Sequence, residues 1–268
     1  MEAAANTQKP VVMCFSGLDP SGGAGIQADI ETLFSVGCHC APIVTALTTQ
    51  NTVNAMAMVS TDATMLIQQA RAVLEDMPVQ AIKLGLLGSV ETIEVIHTLL
   101  TDYSSIPVVL DPVASAGGGY NFSGKEVRRA LLDLLVPLTT LITPNTDEAR
   151  ELAPAADNLD ACANELMDFG CENVLITGTH AQSESVINRF YGRHQQDSQF
   201  NWPRLPCSYH GSGCTLSAAI SGYLAHRVPL RDAVEQAQRF TWEALNGGFR
   251  LGFGQHLPDR GYWHERKS

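Results

Sequence analysis

A chain of 268 residues, 45% hydrophobic and 17% charged, has enough apolar material for one large core. No linker rich in Pro, Gly or Ser divides it, so residues 1–268 are expected to fold as a single domain. Its formal net charge of −11 disfavours nucleic acid and anionic lipid, so any phosphate must be held locally by backbone amides or a metal.

Met1 to Pro10 has neither a basic region nor an apolar run, and no later stretch approaches the ~18 apolar residues of a membrane span. The seven cysteines show no disulfide pattern, which adds to the expectation of a cytoplasmic protein. Cys38-His39-Cys40 lacks a second cysteine/histidine pair at finger spacing and predicts no zinc site.

In chain order, Val11 to Phe15 and Pro42 to Thr48 are apolar runs of strand length. Val53, Ala55, Ala57 and Val59 then alternate with polar or flexible residues, which predicts an antiparallel strand at the sheet edge. Ala63 to Asp76 is an amphipathic helix with Leu66, Ala70, Val73 and Met77 on one face. Ala81 to Leu84 and Val108 to Leu110 are further buried strands, followed by a helix over Lys125 to Leu135. Thr140 to Thr143 and Val174 to Thr177 complete the parallel set. Val186 to Tyr191 and Phe200 to Trp202 predict an antiparallel excursion, with polar Gly192 to Gln199 as its hairpin. Asp259 to Ser268 is expected to be a polar tail anchored only by Tyr262 and Trp263. The fold class that follows is a three-layer α/β/α arrangement with a mainly parallel central sheet and small antiparallel additions.

Two nucleotide motifs fail on context. Gly23-Ala24-Gly25-Ile26-Gln27-Ala28 fits a dinucleotide turn, but Pro42 to Thr49 carries no carboxylate for a ribose. Gly119 to Glu126 is one residue short of a P-loop and has Glu126 where a hydroxyl would meet magnesium. The sharper signal is Gly211-Ser212-Gly213-Cys214-Thr215 at the head of a helix with a small-residue face. Glycines there let successive N–H groups converge, and with the helix dipole they form a nest for a phosphate or a transition-state anion. Cys214 sits where a helix N-terminus is expected to depress a thiol pKa.

Gly17-Leu18-Asp19-Pro20-Ser21-Gly22-Gly23-Ala24-Gly25-Ile26-Gln27-Ala28-Asp29, Thr45 to Thr52 and His210 to Ala219 together resemble hydroxymethylpyrimidine/phosphomethylpyrimidine kinases, members of the ribokinase superfamily. Ile82 to Leu87, Val109 to Val113 and Leu141 to Ala149 match in the same order. The resemblance implies a ribokinase-like fold, ATP and Mg²⁺ as co-substrate and cofactor, an aminopyrimidine acceptor and a homodimer. It places Gln50, Gly17, Asp19, Leu86 and Val113 around the pyrimidine. A Gln amide presents a donor and an acceptor side by side, suited to a ring nitrogen and its exocyclic amine.

The resemblance also gives Asp111, Asn145 and Glu148 phosphate or metal-water roles, with Asn145 and Glu148 equally suited to a helix capping box. Cys214, backed by Gly211, Ser212 and Gly213, would stand nearest the acceptor. Family lysines are replaced by Thr177 and Phe253, which leaves Thr177 and Thr179 as neutral phosphate donors and Arg250 or Lys83 as sources of positive charge. Glycine-rich Ala114 to Ser123 is expected to act as a flap, and Val53 to Ser60 to supply a dimer edge. The rival readings are a pyridoxal kinase and a pyrimidine-binding regulator without catalysis.

Overall fold

The computed structural model describes residues 9–113, 124–178 and 184–263. Thr179 and the Ala114 to Ser123 stretch lie outside the described residues, as does most of the P-loop-like segment. The sheet is built from β1 (Val11–Leu18), β2 (His39–Gln50), β3 (Ala55–Ser60), β4 (Val79–Leu84), β5 (Val108–Leu110), β6 (Leu141–Ile142), β7 (Asn173–Ile176), β8 (Ser185–Gly192) and β9 (Gln195–Pro203), in the order β3-β2-β1-β4-β5-β6-β7-β8-β9. β2, β1, β4, β5, β6 and β7 pair in parallel, while β3 at one edge and β8 and β9 at the other are antiparallel.

The parallel strands are apolar on both faces because helices cover both, as parallel sheets require. One face packs against α2 (Ala63–Asp76), α3 (Val90–Asp102), α4 (Lys125–Ala130), α5 (Thr146–Leu152) and α6 (Leu159–Asp168), with Phe15, Leu66, Ile93 and Leu99 in the resulting core. The other carries α1 (Gly25–Ser35), α7 (Ser212–Ala225) and α8 (Leu230–Asn246), packed through Ile26, Leu33, Leu216 and Ile220. The small-residue face of α7 lets it approach α1 closely: a Cβ at Gly222 would stand 2.6 Å from Val36 Cγ2. No described helix is long and apolar enough to cross a membrane.

The expected strands are all present, with shifted limits. β2 runs on to Gln50 because the antiparallel partner β3 completes its hydrogen bonds, and β3 starts at Ala55 because Val53 lies in the turn, where its amide donates to Asn51 Oδ1 at 2.9 Å. The helix expected over Lys125 to Leu135 ends as α4 at Ala130 and continues as a π-helical turn, Leu131–Leu135. Only Arg193 and His194 turn the second hairpin; most of Gly192 to Gln199 is strand.

One polar cluster crosses these layers. Lys83 in β4 and Asp29 in α1 have side chains with 0% exposure and an Nζ–Oδ1 separation of 3.0 Å. Ser16 in β1 donates to Asp29 Oδ2 at 2.5 Å and accepts from Lys83 Nζ at 3.0 Å. Burial alone would drive the Lys83 ammonium down, but Asp29, with Cys214 and Asp111 behind it, holds it well above its ordinary range. Removing one member of such a pair strands the other charge without water. Lys83→Met is therefore expected to cost ~3–5 kcal/mol in urea unfolding. Removal of both charges in Lys83→Met/Asp29→Leu should recover part of that loss, and additive losses in the double variant would contradict the coupling.

Candidate active site

The parallel strands deliver their functional residues at their carboxyl ends, where open α/β sheets gather ligands. Asp19 follows β1, Gln50 ends β2, Leu86 follows β4, Asp111 follows β5, Asn145 follows β6 and Thr177 follows β7. All of them line one cavity of about 660 Å³, as do Gly17, Val113, Glu148 and the Gly211 to Cys214 turn. That volume lies within the roughly 300–1,000 Å³ of small-molecule sites. The structure thus brings together the described residues expected around the pyrimidine, the phosphates and the nest.

The N-terminus of α7 enters this cavity through a turn that only glycine can make. Gly211 has φ +77°, and a Cβ there would stand 2.0 Å from the Gly23 carbonyl oxygen. Beyond it, Ser217 donates to Asp111 Oδ2 at 3.2 Å, so the first turns of the helix reach the end of β5. Burial pushes the Asp111 carboxyl up to about 6, with Lys83 and the Ser217 hydrogen bond pulling the other way. Asn145 and Glu148 form the capping box of α5: Asn145 Oδ1 accepts from the Asp147 and Glu148 amides, and Glu148 Oε2 accepts from the Asn145 amide, each at 2.9 Å. The box fixes both side chains at the cavity wall.

Cys214 departs from expectation. Although the helix N-terminus favours thiolate, burial pushes the Cys214 thiol up to about 11; Lys83 opposes that rise, while Asp111 and Asp29 add to it. The dipole effect was legible from position; the surrounding carboxylates were not. Arg250 also departs, since its guanidinium donates to the Gly252 and Phe253 carbonyls of its own loop rather than facing the cavity. Lys83 does line it.

His210, for which no role was expected, sits between two acceptor-side residues. Its Nε2 is 2.8 Å from Asp19 Oδ2 and 2.8 Å from Gln50 Nε2. A carboxylate can only accept, so His210 Nε2–H donates to Asp19 Oδ2, and the Gln50 amide packs against the same ring nitrogen. Gln50 also lines the cavity, where its amide can meet a ligand. Burial would raise the Asp19 carboxyl, but hydrogen bonds from His210 and Ser21 prevail and hold it below its ordinary value. At the opposite end, Gln238 Oε1 accepts from Asn188 Nδ2 at 2.8 Å and Trp202 Nε1 at 3.0 Å, and Trp202 stacks with Trp242. This aromatic wall was also missed, because it joins β9 to α8 across 36 residues.

The description "Phosphomethylpyrimidine kinase" belongs to a family model that matches residues 19–259. The bifunctional thiamine biosynthesis protein ThiED of Geobacter sulfurreducens is 38% identical over 92% of this chain, which spans about half of that longer relative (51%). The hydroxymethylpyrimidine/phosphomethylpyrimidine kinase of Rhizobium meliloti is 34% identical, with 91% of this chain and 94% of that protein covered. Among solved structures, Clostridium difficile phosphomethylpyrimidine kinase superposes with a TM-score of 0.77 at 33% identity, covering 89% of this chain and all of the other. Staphylococcus aureus pyridoxal kinase with pyridoxal superposes with a TM-score of 0.86 at 25% identity, covering 96% and 95%. The ribokinase-like backbone is thus shared by kinases of two substrates, and the sequence lies nearer the pyrimidine group.

A thiol held near 11 is protonated at neutral pH and gains reactivity only as pH approaches that value. Alkylation of Cys214 by iodoacetamide, followed by peptide mass spectrometry, should be slow at pH 7 and rise about tenfold per pH unit into the alkaline range. A plateau already reached by pH 7 would contradict this setting.

Proposed function

The chain belongs to the phosphomethylpyrimidine kinase family and is a phosphotransferase, and on that premise we propose that it transfers the γ-phosphoryl of ATP to 4-amino-5-hydroxymethyl-2-methylpyrimidine, to its monophosphate, or to both, in thiamine biosynthesis. The observation that carries the reading is the cavity in which Gln50, beside His210, and the Gly211 to Cys214 turn face a common space. Gln50 would pair with a ring nitrogen and the adjacent amine of the pyrimidine, with Gly17, Asp19, Leu86 and Val113 around it. The sheet order supports a linear layout: Gln50 on β2, the turn near β1 and β5, then Asn145 and Thr177 after β6 and β7. The wall of Trp202, Trp242 and Gln238 would take the nucleoside, and Thr177, with Thr179, its phosphates.

Asp111, Asn145 and Glu148 form a hard oxygen set that suits Mg²⁺, but no described group of three or more acidic, Cys or His side chains is placed to hold a metal. Those residues would therefore act largely through its waters, and the ion would neutralise triphosphate charge. The chain's own part is to align donor and acceptor and to present amide N–H groups from Gly211, Ser212, Gly213 and Cys214 to the charge in flight. Cys214 would accept the hydroxyl proton. Because its thiolate is scarce at neutral pH, this contribution grows with pH while the nest acts throughout.

Leu47 on β2 pairs with Val59 on β3, and both are more than half exposed. This edge supports a homodimer in which a second copy covers the apolar strip. Val59→Lys should shift the protein to monomer in sedimentation; an unchanged species would place any interface elsewhere.

Gln50→Ala should raise KM for the pyrimidine ~10-fold or more with little change for ATP, since one paired hydrogen-bond contact is worth roughly 1.5 kcal/mol. Cys214→Ala should lower turnover ~10²-fold and remove its rise with pH. An unchanged pyrimidine KM in the first, or an unchanged pH profile in the second, would refute the assigned role.

A further inference from the structure

The segment expected to be a polar tail contains a buried arginine. Arg260 is 3% exposed and lies one residue beyond the stretch matched by the family. Its guanidinium is engaged in three directions: Nη2 donates to the Gly23 carbonyl at 2.6 Å, Nε to Thr215 Oγ1 at 2.9 Å and Nη1 to Glu31 Oε2 at 2.9 Å. Ser35 Oγ donates in turn to the Arg260 carbonyl at 2.6 Å, which fastens this backbone to the end of α1.

These partners belong to the two turns that shape the active site. Gly23 lies in the turn between β1 and α1, where Asp19 binds the Ser21 and Ala24 amides, each at 2.9 Å. Its carbonyl is the group that any side chain at Gly211 would strike. Thr215 follows Cys214 directly, and its hydroxyl also donates to the Gly211 carbonyl at 2.8 Å. One planar cation therefore grips the acceptor-side turn and the head of α7 together, yet Arg260 is not among the residues lining the cavity. A guanidinium spans three acceptors at fixed angles; an ammonium on a flexible stem does not.

We propose that Arg260 is a positioning residue for phosphoryl transfer, clamping the Gly22 to Gly25 turn against the Gly211 to Cys214 turn so that acceptor and amide nest stay in line. This rests on the phosphotransferase reading above. Without the clamp, the nest shifts relative to the acceptor, and a misplacement of about 1 Å costs on the order of 10²-fold in rate. Gln50 reaches the acceptor from β2, which the clamp does not touch, so pyrimidine binding is largely kept.

The test compares Arg260→Met, Arg260→Lys and Thr215→Val with the parent for kcat and KM, using Mg-ATP and hydroxymethylpyrimidine, alongside Tm. Both arginine variants should lose roughly 10- to 100-fold in kcat with pyrimidine KM within about threefold, and Thr215→Val a smaller share. If Arg260→Met does not fold, the other two variants decide. A kcat within about threefold of the parent in every folded variant, or a loss confined to KM, overturns the proposal. Should the parent release no ADP with any acceptor, the functional reading has failed instead. The clamp is then judged by Cys214 alkylation at alkaline pH: faster labelling in Arg260→Lys supports it, and an unchanged rate overturns it.

Discussion

The Lys83–Asp29 pair is the constraint around which the site is organised. It joins β4 to α1 beneath the cavity, with Ser16 of β1 completing its hydrogen bonds. A buried charge pair of this kind is tolerated only when geometry is good and the remaining donors and acceptors are met. The field of Lys83 extends to Asp111 and Cys214 and draws both carboxyl and thiol back toward ionisation against the burial that raises them, while Asp29 adds to the rise. In a chain of net charge −11, that local cation has added weight. Local backbone amides and this one fixed ammonium offset an otherwise unfavourable field for a triphosphate.

Much of the fold was legible because the parallel strands are apolar on both faces, and continuous runs such as Val108 to Leu110 have few alternatives. Limits were less so. β2 extends because a partner strand exists to satisfy it, and the helix begun at Lys125 changes its winding at Leu131, events decided by tertiary contacts rather than by local pattern. The site residues were legible as motifs at strand ends and at the head of α7, and the Asn145–Glu148 box was legible from spacing alone. Other features, besides the aromatic wall, were not. The Cys214 thiol is governed by burial and by carboxylates distant in sequence; His210 acquires meaning only when β2 and the turn after β1 are brought beside it; and Arg260 finds Thr215, Glu31 and Gly23 at separations of 45, 229 and 237 residues.

The comparison with pyridoxal and pyrimidine kinases shows where specificity must lie. Both substrate classes are served by nearly the same backbone, so the fold sets the phosphoryl-transfer geometry and leaves the choice of acceptor to a few side chains. On the proposed reading that choice falls to Gln50, held beside His210, with Leu86 and Val113 shaping the apolar remainder of the cavity. Discrimination by a paired donor and acceptor is stronger than discrimination by apolar shape, because the wrong ligand leaves buried polar groups unmet.

The most direct test is mass-spectrometric analysis of the acceptor after incubation of the full chain with Mg-ATP and hydroxymethylpyrimidine, its monophosphate or pyridoxal in separate reactions. The account predicts a phosphorylated pyrimidine with an equivalent amount of ADP, and much weaker turnover of pyridoxal. Phosphorylation of pyridoxal alone, or pyrimidine binding with no ADP released from any acceptor, would contradict it.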